Sequence, residues 1–204
     1  PTREAIDPVR YLTNHSSGKM GYAIAKRAAE LGATVTLVTG PTALPRPARC
    51  HVIPVESAAD MHGAVMQRVQ QHDVFFAVAA VADYRCASVA QQKIKKKGKQ
   101  ALQLELEANP DIVAEVCRMD DKPFVVAFAA ETENVLEHAR EKKRRKGCDI
   151  IVANKVGKGL VFNQDLADVV IIGEKEWAGH AMTKADIADR LLNTLSHSVC
   201  SYEL

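Results

Sequence analysis

The chain has 204 residues, of which 47% are hydrophobic and 25% are charged, the composition of an ordinary globular protein with one sizeable core. Its 27 basic and 25 acidic residues give a formal charge of +2, which excludes a strongly basic nucleic-acid-binding protein and an acidic disordered chain. This balance conceals two cationic segments, because 93–99 and 142–146 each carry five basic residues and no acidic one. The remaining 17 basic and 25 acidic residues form an acidic body around them.

Several classes of protein are excluded by what the sequence lacks. No apolar run approaches the roughly 20 residues that span a bilayer. The five cysteines are scattered without a CxxC pair, which predicts a reducing, cytoplasmic setting, and the seven histidines form no cluster of the kind that holds zinc. No signal segment opens the sequence, and because it begins with Pro1 rather than Met we expect a processed or shortened chain.

Short apolar runs alternate with helical patterns, which is typical of an α/β fold. In chain order, the predicted elements are a helix at 21–31, strands at 34–39 and 50–55, a helix at 57–71, a strand at 74–80, a helix at 109–118, a strand at 124–128, a helix at 133–146, strands at 149–153 and 168–172, and a helix at 183–195. Residues 84–107 interrupt this order with a lysine-rich insertion. We therefore predict a doubly wound, mostly parallel, Rossmann-like sheet with a lysine-rich flap, and with ligands at the carboxyl ends of its strands.

A turn of small residues, 14–21, precedes the first helix and has the sequence NHSSGKMG. Glycines allow backbone amides to approach a ligand, and a helix N-terminus favours an anion. An ordinary surface turn is the alternative. We favour a binding loop, because polar and glycine residues converge where this fold binds ligands: Asn14, Ser16, Ser17 and Gly18. The loop is neither a Walker A motif nor a GxGxxG fingerprint.

Three further features are candidates for anion or nucleotide binding. Asp83 follows the strand at 74–80 directly, where a carboxylate can bind a nucleotide hydroxyl or a metal, or can simply cap a loop. The basic segment 93–99 can be a solvated loop or a nucleic-acid patch, but its isolation in a long insertion favours a flap that covers phosphate. Lys142 and Lys146 lie one helical turn apart and can face the same anion, although helix ends often carry cations for other reasons.

Six sequence segments and one pair of lysines together form a pattern that is specific for a family, although no single one of them is. They are PTREAIDPVRYLTNHSSGKMG at 1–21, AAVADYR at 79–85, KIKKK at 93–97, NPDIV at 109–113, FAAET at 128–132, Lys142 with Lys146, and DIIVAN at 149–154. In order and spacing the chain resembles the phosphopantothenoylcysteine synthetase family of bacterial coenzyme A biosynthesis, which is usually the C-terminal half of a bifunctional flavoprotein. The resemblance covers nearly the whole chain.

This resemblance implies a CTP-dependent ligation. The carboxylate of 4′-phosphopantothenate is joined to CMP as an acyl-cytidylate with release of pyrophosphate, and the amine of L-cysteine then attacks the activated carbonyl and expels CMP. Asn14 would lie at the reacting carbonyl, and Lys93 would neutralise phosphate charge. The resemblance also implies a nucleotide pocket of Ala79, Asp83, Lys93, Pro110, Asp111, Ile112, Val113, Phe128, Lys142 and Lys146, and a substrate site of Asn14, Ser16, Ser17 and Gly18.

The resemblance extends to cofactors and partners. A Mg²⁺ ion held mostly by phosphate oxygens, with no dedicated protein ligands, is expected from triphosphate chemistry. The family is a homodimer whose active site is completed across the interface, and its usual fusion partner is a decarboxylase domain that holds FMN. The family also has an apolar strand before the position of Pro1. We therefore expect a single ligase domain, 1–204, that lacks this central strand.

Two other function classes stay open at this point. A dinucleotide-dependent oxidoreductase of Rossmann type has only the fold class in its favour, and the glycine fingerprint is missing. A nucleic-acid-binding module would use the lysine segments and bind with a steep salt dependence, whereas a CTP site prefers free triphosphate. Aromatic residues make up only 5% of the chain, which disfavours base stacking.

Overall fold

The structure is a computed structural model that describes residues 1–96, 98, 101–131, 133–155 and 166–199. The strands are β1 (Arg3–Ala5), β2 (Tyr11–Thr13), β3 (Val35–Thr39), β4 (Cys50–Pro54), β5 (Val74–Ala77), β6 (Tyr84–Cys86), β7 (Leu106–Ala108), β8 (Phe124–Glu131), β9 (Ile150–Lys155), β10 (Leu166–Ile172) and β11 (Glu176–Thr183). The helices are α1 (Lys19–Glu30), α2 (Ala58–Met66), α3 (Ile112–Cys117), α4 (Val135–Lys146) and α5 (Lys184–Val199). None of the helices, as far as the chain is described, is long and apolar enough to span a membrane.

Five strands form the main sheet, in the spatial order β11–β10–β9–β8–β5. β5, β8 and β9 run parallel, whereas β10 pairs antiparallel with both β9 and β11. The predicted α/β class is confirmed, but the sheet is mixed rather than mostly parallel. Residues 173–175 join β10 to β11, and a connection this short permits only antiparallel pairing.

Helices cover both faces of the main sheet. One cluster joins α2, α3 and α4 to the sheet through Met61, Val65, Val116, Val125, Ala139 and Ile151. The other joins α1 and α5 to it through Ile24, Val126, Ile150, Val152, Ile187 and Leu191. Neighbouring residues of β8 and β9 thus alternate between two buried faces, which explains why these strands are continuous apolar runs in the sequence.

Two strands face each other across a gap. Among the described strands, β3 pairs only with β4, in parallel, and β5 pairs only with β8. The cavity between the facing edges has a volume of about 2370 Å³ and is lined by every residue of β3 and β5, together with Ile24 and Ala25 of α1 and Met61 and Val65 of α2. It continues past the carboxyl ends of the strands, where most of the predicted site residues lie.

The predicted insertion, 84–107, begins and ends in a short ladder. Tyr84 lies opposite Ala108 and Cys86 opposite Leu106, so β6 and β7 form an antiparallel ribbon that carries the lysine-rich segment. Part of that segment, Lys97 and Lys99, lies outside the described residues. So do Thr132 of the FAAET motif, residues 156–165 and the chain end from 200 to 204.

Candidate functional site

The loop after β2 carries Asn14 to the carboxyl end of β5. The side-chain amide of Asn14 donates a hydrogen bond to the carbonyl oxygen of Val81, at 3.0 Å. Asn14 is solvent-exposed and lines the large cavity, so its amide is held at the cavity rim without being buried. Its role at a reacting carbonyl stays a prediction.

The rest of this loop forms the start of α1. The Ser16 hydroxyl accepts a hydrogen bond from the backbone N–H of Gly18 at 3.3 Å, and that of Ser17 accepts one from Lys19 at 3.4 Å. Gly18 is the N-cap, with φ of 75°, a left-handed conformation that glycine adopts without strain. The helix therefore begins at Lys19, two residues before the predicted start. All four predicted substrate residues, Asn14 with Ser16, Ser17 and Gly18, line the cavity.

The segment after β5 forms a second part of the rim. The backbone N–H of Ala82 donates to the Thr2 hydroxyl at 3.0 Å, and the N–H of Asn109 donates to the carbonyl of Asp83 at 2.8 Å. Ala79 and Asp83 both line the cavity, and Asp83 is exposed. An exposed carboxylate at this position is available to a nucleotide hydroxyl or a cation.

The helix predicted at 109–118 begins three residues later in the structure, at Ile112. Asp111, not Asn109, is the N-cap, and its carboxylate accepts from the backbone N–H of Ala114 at 3.0 Å. Asn109 instead donates to the carbonyl of Ala82 at 2.8 Å and accepts from Arg85 at 3.0 Å, so it ties this turn to the segment after β5. Sequence pattern could not separate the two caps, because an Asn before Pro is also a common cap.

The lysine pair of α4 lies across the cavity rim from this turn. Lys142 and Lys146 both line the cavity, together with Arg145, as the one-turn spacing predicts. Lys146 forms an ion pair with Asp111. Burial alone would raise the pKa of the Asp111 carboxyl, but the hydrogen bonds from Lys146 and Ala114 outweigh it and lower that pKa. Asp111 therefore acts as a counter-ion to the lysine at this position.

The remaining predicted pocket residues lie at the same rim. Phe128 of β8 is half-buried and packs against the core cluster that includes Ile24. Phe128 also lines the cavity, as do Pro110, Asp111, Ile112 and Val113. Lys93 is different, because it is exposed and is not among the lining residues. Nine of the ten predicted nucleotide residues thus line the same cavity, and Lys93 does not.

Sequence reasoning missed the anchor of the lysine-rich segment. Ile94, next to Lys93, is hydrogen-bonded through its N–H to Asp7 and through its carbonyl to Arg10. Both residues belong to the quoted motif of 1–21, but nothing in their spacing to Ile94 reveals a contact across 80 or more residues. In the parts of the chain that the structure describes, no group of three or more His, Cys, Asp or Glu residues could by itself hold a metal ion.

Comparison with known proteins gives the family. A family model described as DNA/pantothenate metabolism flavoprotein C-terminal domain matches residues 1–199. The coenzyme A biosynthesis bifunctional protein CoaBC of Vibrio cholerae is 55% identical over 168 residues, which are 81% of this chain and 42% of that protein. The CoaBC protein of Bacillus subtilis is 41% identical over 203 residues, which are 96% of this chain and 49% of that protein. The chain spans less than half the length of these curated relatives.

Solved structures agree with this assignment. The crystal structure of the C-terminal domain of CoaBC superposes with a TM-score of 0.84 at 41% identity, covering 98% of this chain and 92% of the other. A Cab2 mutant in complex with phosphopantothenate-cysteine superposes with a TM-score of 0.81 at 13% identity, covering 100% and 86%, and thereby shares the fold. The chain therefore belongs to the DNA/pantothenate metabolism flavoprotein C-terminal domain family, which confirms the resemblance drawn from its motifs.

Proposed function

We propose that this chain is a phosphopantothenate–cysteine ligase domain of coenzyme A biosynthesis and that it uses CTP. The observation that carries the proposal is one cavity rim that joins Asn14, Asp83, the turn 110–113, and the lysines 142 and 146. The family match and the identity to coenzyme A biosynthesis proteins support the role. The Cab2 neighbour, whose complex holds phosphopantothenate-cysteine, supports a fold that accommodates this product.

The first half-reaction is a nucleotidyl transfer. A carboxylate oxygen of 4′-phosphopantothenate attacks the α-phosphorus of CTP, and pyrophosphate leaves with the electron pair of the broken P–O bond. Lys142 and Lys146 bind the triphosphate, because ammonium groups at a partly shielded rim are strong partners for phosphate oxygens. Ala79, Asp83, Phe128 and the turn 110–113 surround the nucleoside, with backbone groups of the turn reading the base.

The second half-reaction forms the amide. The amine of L-cysteine attacks the acyl carbonyl, negative charge develops on the carbonyl oxygen, and CMP leaves as the amine loses a proton. The Asn14 amide lies at the rim, where an N–H donor stabilises this charge. The Ser16 and Ser17 hydroxyls accept from backbone N–H groups at the start of α1 and donate their own protons to the anionic substrate, while Gly18 forms the turn that aims them.

Charge on the phosphates requires further cations. Lys93 approaches the triphosphate from the lysine-rich segment in this proposal, although its side chain is exposed and outside the rim of the isolated chain. Mg²⁺ supplies charge neutralisation of the triphosphate when bound. The exposed carboxylate of Asp83 fits this ion, since carboxylate oxygen is the donor that Mg²⁺ prefers, and phosphate oxygens would provide the other ligands.

A homodimer is part of the proposal. The β6–β7 ribbon and the chain leading into it expose several large apolar side chains in one stretch of structure: Tyr84, Leu102, Leu104 and Leu106, with Val9 and Tyr11 from the β1–β2 hairpin. β1 of this hairpin contacts β6 of the ribbon, so we take these side chains together as one candidate apolar surface. A second copy of the chain would cover it, and the lysine-rich segment on the same ribbon would then lie near the partner's site.

The proposal extends to a fusion partner, a location and the extent of the domain. The matched relatives are more than twice as long as the match and are named bifunctional, which supports an additional FMN-dependent decarboxylase domain in the natural protein. Cys50, Cys86, Cys117 and Cys148 are free thiols, which supports a reducing cytoplasmic setting. Residues 1–204 act as one ligase domain.

The gap between β3 and β5 suggests how the sheet is completed. Backbone groups on the facing edges of these strands need hydrogen-bond partners, and the apolar cavity between them fits one extended strand parallel to both. Such a strand would join β3–β4 to the main sheet and give the doubly wound arrangement. The chain extended by the corresponding strand of a CoaBC relative should melt at a higher temperature than the chain itself, and equal melting temperatures would contradict this.

The ligase proposal is tested by pyrophosphate release. We expect release from CTP with Mg²⁺ only when 4′-phosphopantothenate is present, and amide product only when L-cysteine is added as well. ATP, GTP and UTP serve as nucleotide controls, and NADH binding followed by fluorescence tests the oxidoreductase alternative. A folded protein that carries the completing strand and releases no pyrophosphate from CTP in the complete mixture would refute the proposal.

A further inference from the structure

The loop of the β1–β2 hairpin contains a buried carboxylate with an unusual number of partners. The Asp7 side chain is fully buried, although the residues that follow it in the loop are exposed. One oxygen accepts from the backbone N–H groups of Val9 and Arg10, at 2.8 and 2.9 Å. The other accepts from the Arg10 guanidinium, at 2.9 Å for Nε, and from the backbone N–H of Ile94, at 3.0 Å.

Only one of these contacts is remote in sequence. The bonds from Val9 and Arg10 close the hairpin loop and would do so without any other segment. The bond from Ile94 joins the loop to a segment 87 residues away. Arg10, held by Asp7, also donates to the carbonyl oxygen of Ile94 at 2.7 Å, and the N–H of Ala90 donates to the carbonyl of Ile6 at 3.0 Å.

These contacts fix the backbone on which Lys93 is mounted. The N–H of Ile94 belongs to the peptide plane that begins at Lys93, so Asp7 and Arg10 together hold the two peptide planes that flank Ile94. The Lys93 side chain remains exposed and able to move. The same hairpin continues through β2 to Asn14. Asn14 follows Arg10 by four residues, which is roughly 13 Å of extended strand. One rigid hairpin therefore carries Asn14 at one end and the base of the lysine-rich segment at the other.

We propose that Asp7 is a positioning residue for Lys93, acting through Arg10 and the backbone of Ile94 to fix the stretch of backbone that carries this lysine. The inference rests on the proposed ligase function, because it assigns the fixed lysine to the triphosphate. Burial alone would raise the pKa of the Asp7 carboxyl, but the hydrogen bonds from Arg10 and from the amides of Ile94, Val9 and Arg10 hold it well below its usual range. The carboxylate is thus ionised at neutral pH.

The test replaces Asp7 by asparagine, which has nearly the same size. One of the two accepting oxygens then becomes an NH₂ group, which cannot accept a hydrogen bond from the surrounding N–H groups. In Asp7→Asn, hydrogen exchange of the Ile94 amide should accelerate at least tenfold. The amide of Arg3, which donates to Glu56 at 2.8 Å, should exchange at the wild-type rate, because it reports the docking of the hairpin. Unchanged exchange at Ile94, or equal acceleration at Arg3, would overturn the proposal in favour of a purely structural carboxylate.

The second measurement is kinetic and uses the same protein preparations. Misplacement of Lys93 should lower kcat for CTP-dependent pyrophosphate release by roughly one to two orders of magnitude and change KM for CTP less than threefold. The matched control is Asp189→Asn, which removes an aspartate–arginine pair with Arg27 elsewhere in the molecule and should alter neither readout. Unchanged kcat in Asp7→Asn would overturn the proposal.

The two measurements separate this inference from the function it rests on. A wild-type protein that releases no pyrophosphate would overturn the ligase proposal, and with it the purpose assigned to the fixed lysine. The exchange rates of Ile94 and Arg3 would still show whether Asp7 holds this segment. Accelerated exchange at Ile94 together with a wild-type kcat would contradict the positioning role while leaving the ligase proposal intact.

Discussion

Asn14 is the residue whose chemistry the ligase account depends on most. Its amide lies at the cavity rim, and in the proposed mechanism its replacement by aspartate would place negative charge where the carbonyl oxygen of the acyl group develops its own. In Asn14→Asp, amide formation should slow by about 100-fold or more while nucleotide activation continues, so acyl-cytidylate should accumulate. Rapid quench with CTP labelled at the α-phosphate would detect it. Asn193→Asp on α5 is the matched control, and normal turnover in Asn14→Asp would remove this residue from the mechanism.

The thiols near α3 and α4 are predicted to be inert. Burial, with a contribution from nearby Cys148, raises the pKa of the Cys117 thiol to about 11. A thiol with a raised pKa carries less thiolate, so at pH 8 the reactive fraction should be about 100-fold below that of an ordinary cysteine. Alkylation by iodoacetamide at pH 8, followed by mass spectrometry, should be correspondingly slower in native than in urea-unfolded protein. Equal rates in the two states would contradict the burial argument.

Individual site residues could be predicted to different degrees. Asp83, Lys142 and Lys146 were accessible because they follow a predicted strand or repeat along a helix, and Asn14 because it belongs to a polar, glycine-containing turn before a helix. Asp7 was not, because its meeting with Ile94 arises from tertiary packing of two segments that are far apart in sequence. The ion pair between Lys146 and Asp111 was hidden for the same reason.

Helix α4 presents a cationic face that allows a controlled comparison. Lys146 lies at the cavity rim beside Asp111, whereas Arg144 on the same helix is exposed and is not among the lining residues. In Lys146→Gln, loss of a charged hydrogen bond to phosphate should raise KM for CTP about 10- to 100-fold. Arg144→Gln removes the same charge from the same helix and should leave KM unchanged. Steady-state kinetics of the two variants measure this, and equal effects would indicate a general electrostatic role instead.

Helices and strands can be predicted well from the sequence where an apolar pattern defines them. Apolar strands such as β5 and β9, and helix starts such as Ser57 and Thr183 with their capping aspartates, follow from local sequence. β11 was missed because most of its residues are exposed and its interior holds Gly179 and His180, which weakens a strand pattern. Three-residue strands such as β1 and β6 were missed because pairing, rather than composition, creates them.

At the scale of the whole molecule, the exposed apolar surface predicts association. Leu102 is 54% exposed and Leu104 38%, and both lie on the chain leading into β7. The protein should sediment as a dimer, and the double change Leu102→Asp with Leu104→Asp should shift it toward monomer by placing charge in the interface. Leu166→Asp, at an exposed leucine on β10, is the control. Sedimentation velocity would decide, and a wild-type monomer at micromolar concentration would contradict the dimer.

The central claim is that the carboxylate is activated on the α-phosphorus of CTP, and the fate of one oxygen tests it directly. When 4′-phosphopantothenate carries ¹⁸O in its carboxylate, attack on the α-phosphorus and later cleavage by cysteine leave one labelled oxygen in the released nucleotide. Mass spectrometry of the products should therefore find ¹⁸O in CMP and none in pyrophosphate. Label in pyrophosphate or inorganic phosphate, with unlabelled CMP, would contradict the account.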